Sequence, residues 1–188
     1  MTSVRGSPVG HGRGGCALLA AAALSGMLVA CAPLEVRSKP GTTTTVIMTR
    51  HADRDPNSQV LNALGHERAK ALLEAVRGMG VTAIYSPNVE RNLATVRPLA
   101  RELGIEITIT PETSVYIADS IAREMLERHA GGVIVFVGNV TGNLQGVFHF
   151  LGGVGEGPVK YGDLFILSIS DNAPVRLEKR RYGPESSW

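Results

Sequence analysis

Cysteine is almost absent from this 188-residue chain. Only Cys16 and Cys31 occur, too few for a disulfide framework or a cysteine-built zinc site. An excess of charge of one sign is also lacking. The formal net charge is +2, and both units come from Arg5 and Arg13, because residues 1–30 contain no Asp or Glu. Residues 31–188 hold 17 basic and 17 acidic side chains. That balance leaves no electrostatic footprint for nucleic acid, so any electropositive site must be local. The apolar run "ALLAAAALSGMLVA", residues 17–30, is shorter than the roughly 20 residues a comfortable membrane span requires. What remains, 44% hydrophobic and 19% charged residues, is the composition of one ordinary globular domain.

The 17–30 run has the length of a signal-peptide core, and residues 1–30 read as a signal peptide. Leu28-Val29-Ala30-Cys31 resembles a bacterial lipobox, which makes Cys31 the lipidated first residue of the mature chain. Ordinary cleavage after "ACA" would place Pro33 just past the scissile bond, where a fixed φ and a missing N–H make a poor substrate. The expectation is an exported lipoprotein of the bacterial cell envelope, held to a membrane through lipid. Residues 31–43, with Pro33, Pro40 and Gly41 and no periodic apolar pattern, read as the tether. Residues 44–183 form the domain.

Within the domain the hydrophobic pattern alternates in kind. Thr44–Met48 is short and β-branched, a strand. Leu61–Arg77 repeats Leu61, Leu64, Ala69, Leu72, Leu73 and Val76 at helical spacing. "VTAIYS", 81–86, is a second strand, and Val89–Leu103 a second helix that Pro98 should kink or divide. "IEITIT", 105–110, alternates strictly, as a strand near a sheet edge does, and Ile117–His129 is a third helix. "GGVIVFVG", 131–138, is continuously apolar, the mark of a central strand covered on both faces. A helix over Leu144–Leu151 and a hairpin of 164–170 with 175–183 follow. The order predicts an α/β domain: a three-layer sandwich with a mostly parallel sheet and helices on both faces. Ligands of such sheets bind beyond the carboxyl ends of the strands. The residues there are Arg50-His51, Ser86-Pro87, Pro111-Glu112 and Gly138-Asn139.

Arg50 and Arg91 offer planar forks that each pair two oxygens of a phosphate dianion. His51 between them has the chemistry of a nucleophile: a neutral imidazole nitrogen attacks phosphorus, and water later frees the phosphoryl group. Two guanidinium groups would stabilise the equatorial oxygens in both steps. Singly, an Arg-His pair at a strand end or an Arg on a helix is a common solvated feature. The combination and order carry the information.

These segments resemble the histidine phosphatase superfamily, which includes phosphoglycerate mutases, acid phosphatases and phosphohistidine phosphatases. "TRHADRD" is similar to its Arg-His-Gly/Ala signature, "LNALGHERAKAL" to its Leu-x-x-x-Gly-x-x-x-Ala helix, and "IYSPNVERNLAT" to its Ser-Pro-x-x-Arg-x-x-x-Thr element. The resemblance implies that His51 is the phosphorylated nucleophile, that Arg50 and Arg91 clamp the phosphate, and that Ser86 and Pro87 shape the turn presenting the second helix. The family's proton donor is an Asp or Glu of variable position. Glu112 is the choice here, with Asp53 and Asp119 as rivals. One departure from the family matters. Where the family has Gly-His after its fourth strand, this chain has Gly138-Asn139. An asparagine donates a hydrogen bond but carries no positive charge. Loss of one oxyanion donor typically costs 10²–10³-fold in rate. His149 lies too far along the next helix to substitute, and His66 and His129 read as solvated.

Two functions therefore stand. One is a phosphomonoester or phosphoprotein hydrolase slowed or retuned by Asn139. The other is a phosphate-binding or scaffold lipoprotein that kept the pocket without turnover. An exported domain with only an inherited fold is a third possibility. Mutase activity fits less well, since it needs extra loops to exclude water. No cofactor is expected, and no metal: Asp53 and Asp55 share one side of an extended segment but have no companion ligand cluster. The expected partners are a phosphorylated small molecule or phosphoprotein and, through the lipid, a membrane.

Overall fold

The computed structural model describes residues 36–111 and 115–186. The signal peptide expected at 1–30, the lipobox with Cys31 and the side chain of Glu112 lie outside the described residues. The elements run in the order β1 (Thr43–Arg50), α1 (Ala63–Ala75), β2 (Val81–Pro87), α2 (Glu90–Leu103), β3 (Ile107–Thr110), α3 (Val115–Arg128), β4 (Val133–Gly138), α4 (Leu144–Phe150), β5 (Asp163–Ser170) and β6 (Arg176–Arg181). The sheet order is β3-β2-β4-β1-β5-β6. The four strands β3, β2, β4 and β1 pair in parallel, and β5 and β6 add an antiparallel hairpin beside β1.

Alternation along the strands divides the core in two. Val46 and Met48 of β1 and Ile134 and Phe136 of β4 join Ala118, Met125, Val147 and Phe148, from α3 and α4. Ile47, Val135 and Val137, one residue out of phase, join Leu72 of α1 and Val96, Leu99 and Ala100 of α2. A period of two thus sends consecutive side chains to opposite helical layers. This is the predicted three-layer sandwich. β3 is an edge strand and β4 is interior, as their patterns indicate.

Two features differ from the sequence reading. Helix α2 continues through Pro98 as a single element. Proline removes one donor, and the buried face of Val96, Leu99 and Ala100 holds the helix across that gap. The last part of the expected tether also lies against the domain. Val36 is buried in the α3/α4 core, its N–H donates to Phe150 O, and Ser38 hydrogen-bonds the Thr44 hydroxyl. The apolar side chain of Val36 and the paired polar groups around it supply contacts that a solvated linker would lack.

Candidate active site

β1 and β4 run side by side, so their carboxyl ends deliver neighbouring residues. Arg50 lies opposite Gly138, and the His51 N–H donates to Gly138 O at 3.3 Å. Asn139 follows. Ser86 is fully buried at the end of β2, with its hydroxyl on Pro87 O. The Val89 N–H also donates to Pro87 O, a turn that aims the start of α2 toward the same end of the sheet. Arg91 then reaches Asn139: its Nη2 donates to Oδ1 at 3.0 Å. Arg50, His51, Arg91 and Asn139 therefore converge, as the sequence pattern requires.

His51 is 4% exposed. Its Nδ1 lies 2.8 Å from Ala52 O. A carbonyl only accepts, so Nδ1 carries the proton and Nε2 carries the lone pair. Burial, opposed in part by that hydrogen bond, and the positive fields of Arg50, Arg91 and Arg54 lower the imidazole pKa to about 4. The ring is neutral at physiological pH, with one nucleophilic nitrogen in a strongly positive setting.

The Arg50 guanidinium lies 3.9 Å from the centre of the Tyr161 ring and donates from Nη1 to Val159 O at 2.6 Å. Tyr161 also meets His51 edge-on at 5.8 Å. Tyr161 thus braces both residues of the Arg-His pair. Among the described residues, Arg50 Nε, Arg54 Nε and Asn139 Nδ2 are buried with no hydrogen-bond partner. Buried donors are rarely left unmatched, and a cluster of them beside His51 is a place suited to an acceptor. A phosphoryl group supplies acceptors on every side.

Sequence reasoning missed three participants. Arg54 is the third cation acting on His51. Its position in "HADRD" beside two acidic residues disguised it as part of a mixed-charge loop. Thr95 accepts from the Ala52 N–H at 2.8 Å and donates to Arg91 O at 2.7 Å. It thereby ties the loop after β1 to the first turn of α2. Its place four residues after Arg91, in the Arg-x-x-x-Thr part of the motif, was the available signal. Arg68 is fully buried and its Nε donates to Asp53 Oδ2 at 2.5 Å.

That last pair removes Asp53 from the candidate proton donors. Burial alone would raise its pKa, but hydrogen bonds from Arg68 and Ser186 together outweigh burial and lower it. An ionised carboxylate committed to a buried guanidinium has no proton to give. Asp119 pairs with Arg123 on α3 at 2.7 Å, both about 40% exposed, which is a surface arrangement. His149 is exposed on α4, with Nε2 near Gly155 O, and His66 is exposed on α1. His129 differs from its solvated reading, since its Nε2 meets the Tyr85 hydroxyl at 3.0 Å. Asp55 is exposed and accepts from Asn62 Nδ2. Among the described residues no three His, Cys, Asp or Glu side chains gather as metal ligands.

The glycine of α1 also serves the site. A Cβ on Gly65 would lie 2.1 Å from Asp53 O. Only glycine lets α1 press against the loop that follows His51, and the Asn62 N-cap, accepting from the Gly65 N–H, starts the helix there.

The sheet of this α/β domain thus ends in an Arg-His pair, with a second arginine delivered to the same end by the helix after β2. The model of the histidine phosphatase superfamily (branch 1) matches residues 45–114, the stretch that carries Arg50, His51 and Arg91. Solved structures share the fold at low sequence identity. YhfR of Bacillus stearothermophilus superposes with a TM-score of 0.58 at 16% identity, covering 71% of this chain and 95% of its own. The protein histidine phosphatase SixA, solved with tungstate, gives 0.56 at 14%, covering 73% and 96%. A mycobacterial glucosyl-3-phosphoglycerate phosphatase gives 0.52 at 14%, covering 77% and 100%. No curated protein matches the sequence. The family model thus matches the part of the domain from β1 to the start of the segment after β3, and the solved structures share the fold.

Proposed function

We propose that this protein hydrolyses phosphomonoesters, of small molecules or of phosphoproteins, through a phosphohistidine on His51. The observation that carries the reading is the state of that imidazole. It is neutral, its Nδ1 proton is fixed on Ala52 O, and Nε2 stands in the field of three guanidinium groups. In the proposed first step the Nε2 lone pair forms the N–P bond as the P–O bond to the leaving group breaks. The leaving oxygen takes a proton from the carboxyl that we assign to Glu112. Arg50, Arg91 and the free amide hydrogens of Asn139 hold the equatorial oxygens, where charge gathers. In the second step water attacks phosphorus and gives a proton back to the Glu112 carboxylate, the N–P bond breaks with its electron pair returning to Nε2, and inorganic phosphate leaves. No cofactor takes part in either step.

Asn139 bears on a second reading, a phosphate-binding protein without turnover. Its Oδ1 is occupied by Arg91, which aims Nδ2 away as an unmatched donor. The hydrogen bond to phosphate is thus retained and only the positive charge is lost, which favours slow hydrolysis over none. Rapid quench with a generic phosphomonoester distinguishes the two. The hydrolase reading expects acid-labile phosphate on His51 and turnover abolished in His51→Ala. Saturable phosphate binding with no phosphoenzyme would leave the binding reading in its place.

We further propose that Cys31 is lipidated after removal of residues 1–30 and that the domain works at the surface of a bacterial envelope membrane. The support is the lipobox-like Leu28–Cys31. Mass spectrometry of the mature N-terminus tests it: diacylglyceryl-cysteine at Cys31 is expected, and an intact residue 1 would exclude it.

A further inference from the structure

The chain is bound to the domain well before β1 begins. Val36 is buried in the α3/α4 core, and its N–H donates to Phe150 O. Arg37 donates from Nη1 to Ala173 O at 2.5 Å, and the Gly41 N–H donates to Asp171 Oδ2 at 2.8 Å. Cys31 precedes Val36 by five residues, which span at most about 18 Å when fully extended. A lipid on Cys31 would therefore hold the entry point of the domain within that distance of a bilayer surface.

The entry point lies opposite the site. Thr43, at the start of β1, pairs with Ser170, at the end of β5. Arg50 stands at the other end of β1, seven residues on, or about 23 Å at 3.3 Å per residue. The turn at 171–175 and the entering chain thus share the pole away from His51. Val154, from the loop after α4, reaches the same pole, where it lines a cleft of about 360 Å³ with Arg37, Ala173, Pro174 and Val175.

This pole is apolar at its tip. Val154 is 85% exposed, more than any other large hydrophobic side chain among the described residues. Gly152 and Gly155, both at positive φ, turn the backbone on either side of it. Ala173 and Pro174 are exposed beside it. One exposed valine is ordinary on a protein surface. Here it stands with two further apolar residues where the chain leading to Cys31 enters. Charge around them is mixed, Arg37 and Lys39 against Glu127 and Asp171. Chain reach and apolar contact, rather than electrostatics, therefore indicate what covers the surface.

We infer that the surface of Val154, Ala173 and Pro174 rests on the lipid bilayer, so that the His51 site faces away from it and receives phosphorylated partners from the aqueous side. The inference rests on the lipidated Cys31 proposed above and not on turnover at His51. It sets headgroup phosphates of the same membrane out of reach of the site.

The test is fluorescence quenching on the mature acylated protein in vesicles of phosphatidylethanolamine and phosphatidylglycerol. A lipidated Cys31 has no free thiol, so Val154→Cys accepts a single environment-sensitive fluorophore. Val60→Cys carries the same probe at the other pole, since Val60 is 56% exposed and follows Gln59, which meets Arg91. Nitroxides on the lipid headgroups and upper acyl chains report proximity, within the roughly 5–10 Å to which an interfacial apolar surface sinks. The probe at 154 should lose intensity and shift to the blue, and the probe at 60 should do neither. Ala173→Cys should repeat the result at 154, and it supplies the readout if Val154→Cys fails to fold. No quenching at 154 and 173, or equal quenching at 60, would overturn the inference and leave the lipid anchor standing. A blue shift at 154 that appears without vesicles and grows with protein concentration would assign the surface to a second copy of the chain and overturn it as well. Two fluorophores per chain would show that Cys31 carries no lipid, and the anchor and this inference would fall together.

Discussion

Thr95 holds the Ala52 N–H at 2.8 Å while its own hydroxyl hydrogen goes to the Arg91 carbonyl at 2.7 Å. Through this one oxygen the residue after His51 and the Arg91 backbone of α2 are fixed to each other. The relation is buried, since both Thr95 and Ala52 have no exposed surface. Thr95→Val keeps the shape and leaves the Ala52 donor unmatched, at a cost of about 1–3 kcal/mol. Because misplacement by about an ångström can cost 10²-fold, kcat should fall more than thermal stability explains, and Thr95→Ser should restore it. Equal losses in the serine and valine variants would show that the methyl group, not the hydroxyl, is what matters.

A second prediction concerns pH. His51 is held at a pKa of about 4 against an ordinary value of 6.5. The folded pKa is lowered, so between those values the unfolded chain binds a proton that the native protein does not. Stability conferred at neutral pH is therefore lost as pH falls from 6.5 toward 4, in total roughly 3 kcal/mol. Below that range the native ring is protonated as well and the loss stops. His51→Gln lacks this dependence. Chemical denaturation of both proteins across the window should show their stabilities drifting apart, with the wild type losing more. A ring-proton NMR titration of the ligand-free wild type should put the midpoint of His51 at about 4. A midpoint near 6.5 would remove the neutral nucleophile from the proposal.

Much of this arrangement was legible in the amino-acid order. β4 declared itself as an interior strand because a run of Val133–Val137 has no polar face to show to water. Arg50 and His51 stood out because a strand rarely ends on two such residues by chance, and Arg91 because its spacing from Ser86 is that of a strand, a turn and the first turn of a helix. Thr95, Arg54 and Arg68 were harder. Thr95 and Arg68 owe their roles to partners distant in sequence, Thr95 to Ala52 and Arg68 to Asp53 and to the chain at 182–186, while Arg54 acts through its field on His51 and not through a pattern of spacing. A local pattern records periodicity and caps, and it does not record which buried polar group meets which. Asp53 shows the consequence. As a carboxylate two residues past His51 it resembled a proton donor, and its guanidinium partner excludes that.

That partner leads to a third prediction. Arg68 also donates to Tyr182 O at 2.7 Å and Pro184 O at 2.6 Å, so one buried cation joins the loop after His51 to the last described residues. A Cβ on Gly162 would lie 2.4 Å from Arg68 Nη1, which is why the neighbouring turn is glycine. Asp53→Asn should cost about 3–5 kcal/mol by leaving a buried charge uncompensated. The double variant Asp53→Asn/Arg68→Met removes that charge and should lose less than the single change. A double-mutant cycle by urea denaturation measures the coupling, and strict additivity would mean that the pair carries no specific interaction.

The last prediction concerns the residue at which this chain parts from the pattern it resembles. Asn139 Oδ1 accepts from Arg91, and Nδ2 is left as a buried donor without a match among the described residues. It can therefore hydrogen-bond a phosphoryl oxygen, but it adds no charge to a site where negative charge concentrates in the transition state. Asn139→Ala removes the donor and frees Arg91 from its anchor, so kcat should fall by about 10²–10³-fold, the effect of losing one oxyanion donor. Asn139→His replaces a neutral donor with one that can be cationic when dianion is bound, and turnover should rise, by roughly tenfold or more if a charge-assisted bond is gained. The acid side of the kcat profile should then reflect a second titrating imidazole. Rapid-quench measurement of phosphoenzyme formation separates this from faster product release. If Asn139→His is as slow as the wild type and Asn139→Ala is no slower, then position 139 does not face the reacting phosphoryl group, and the rate limit must be sought in the proton donor.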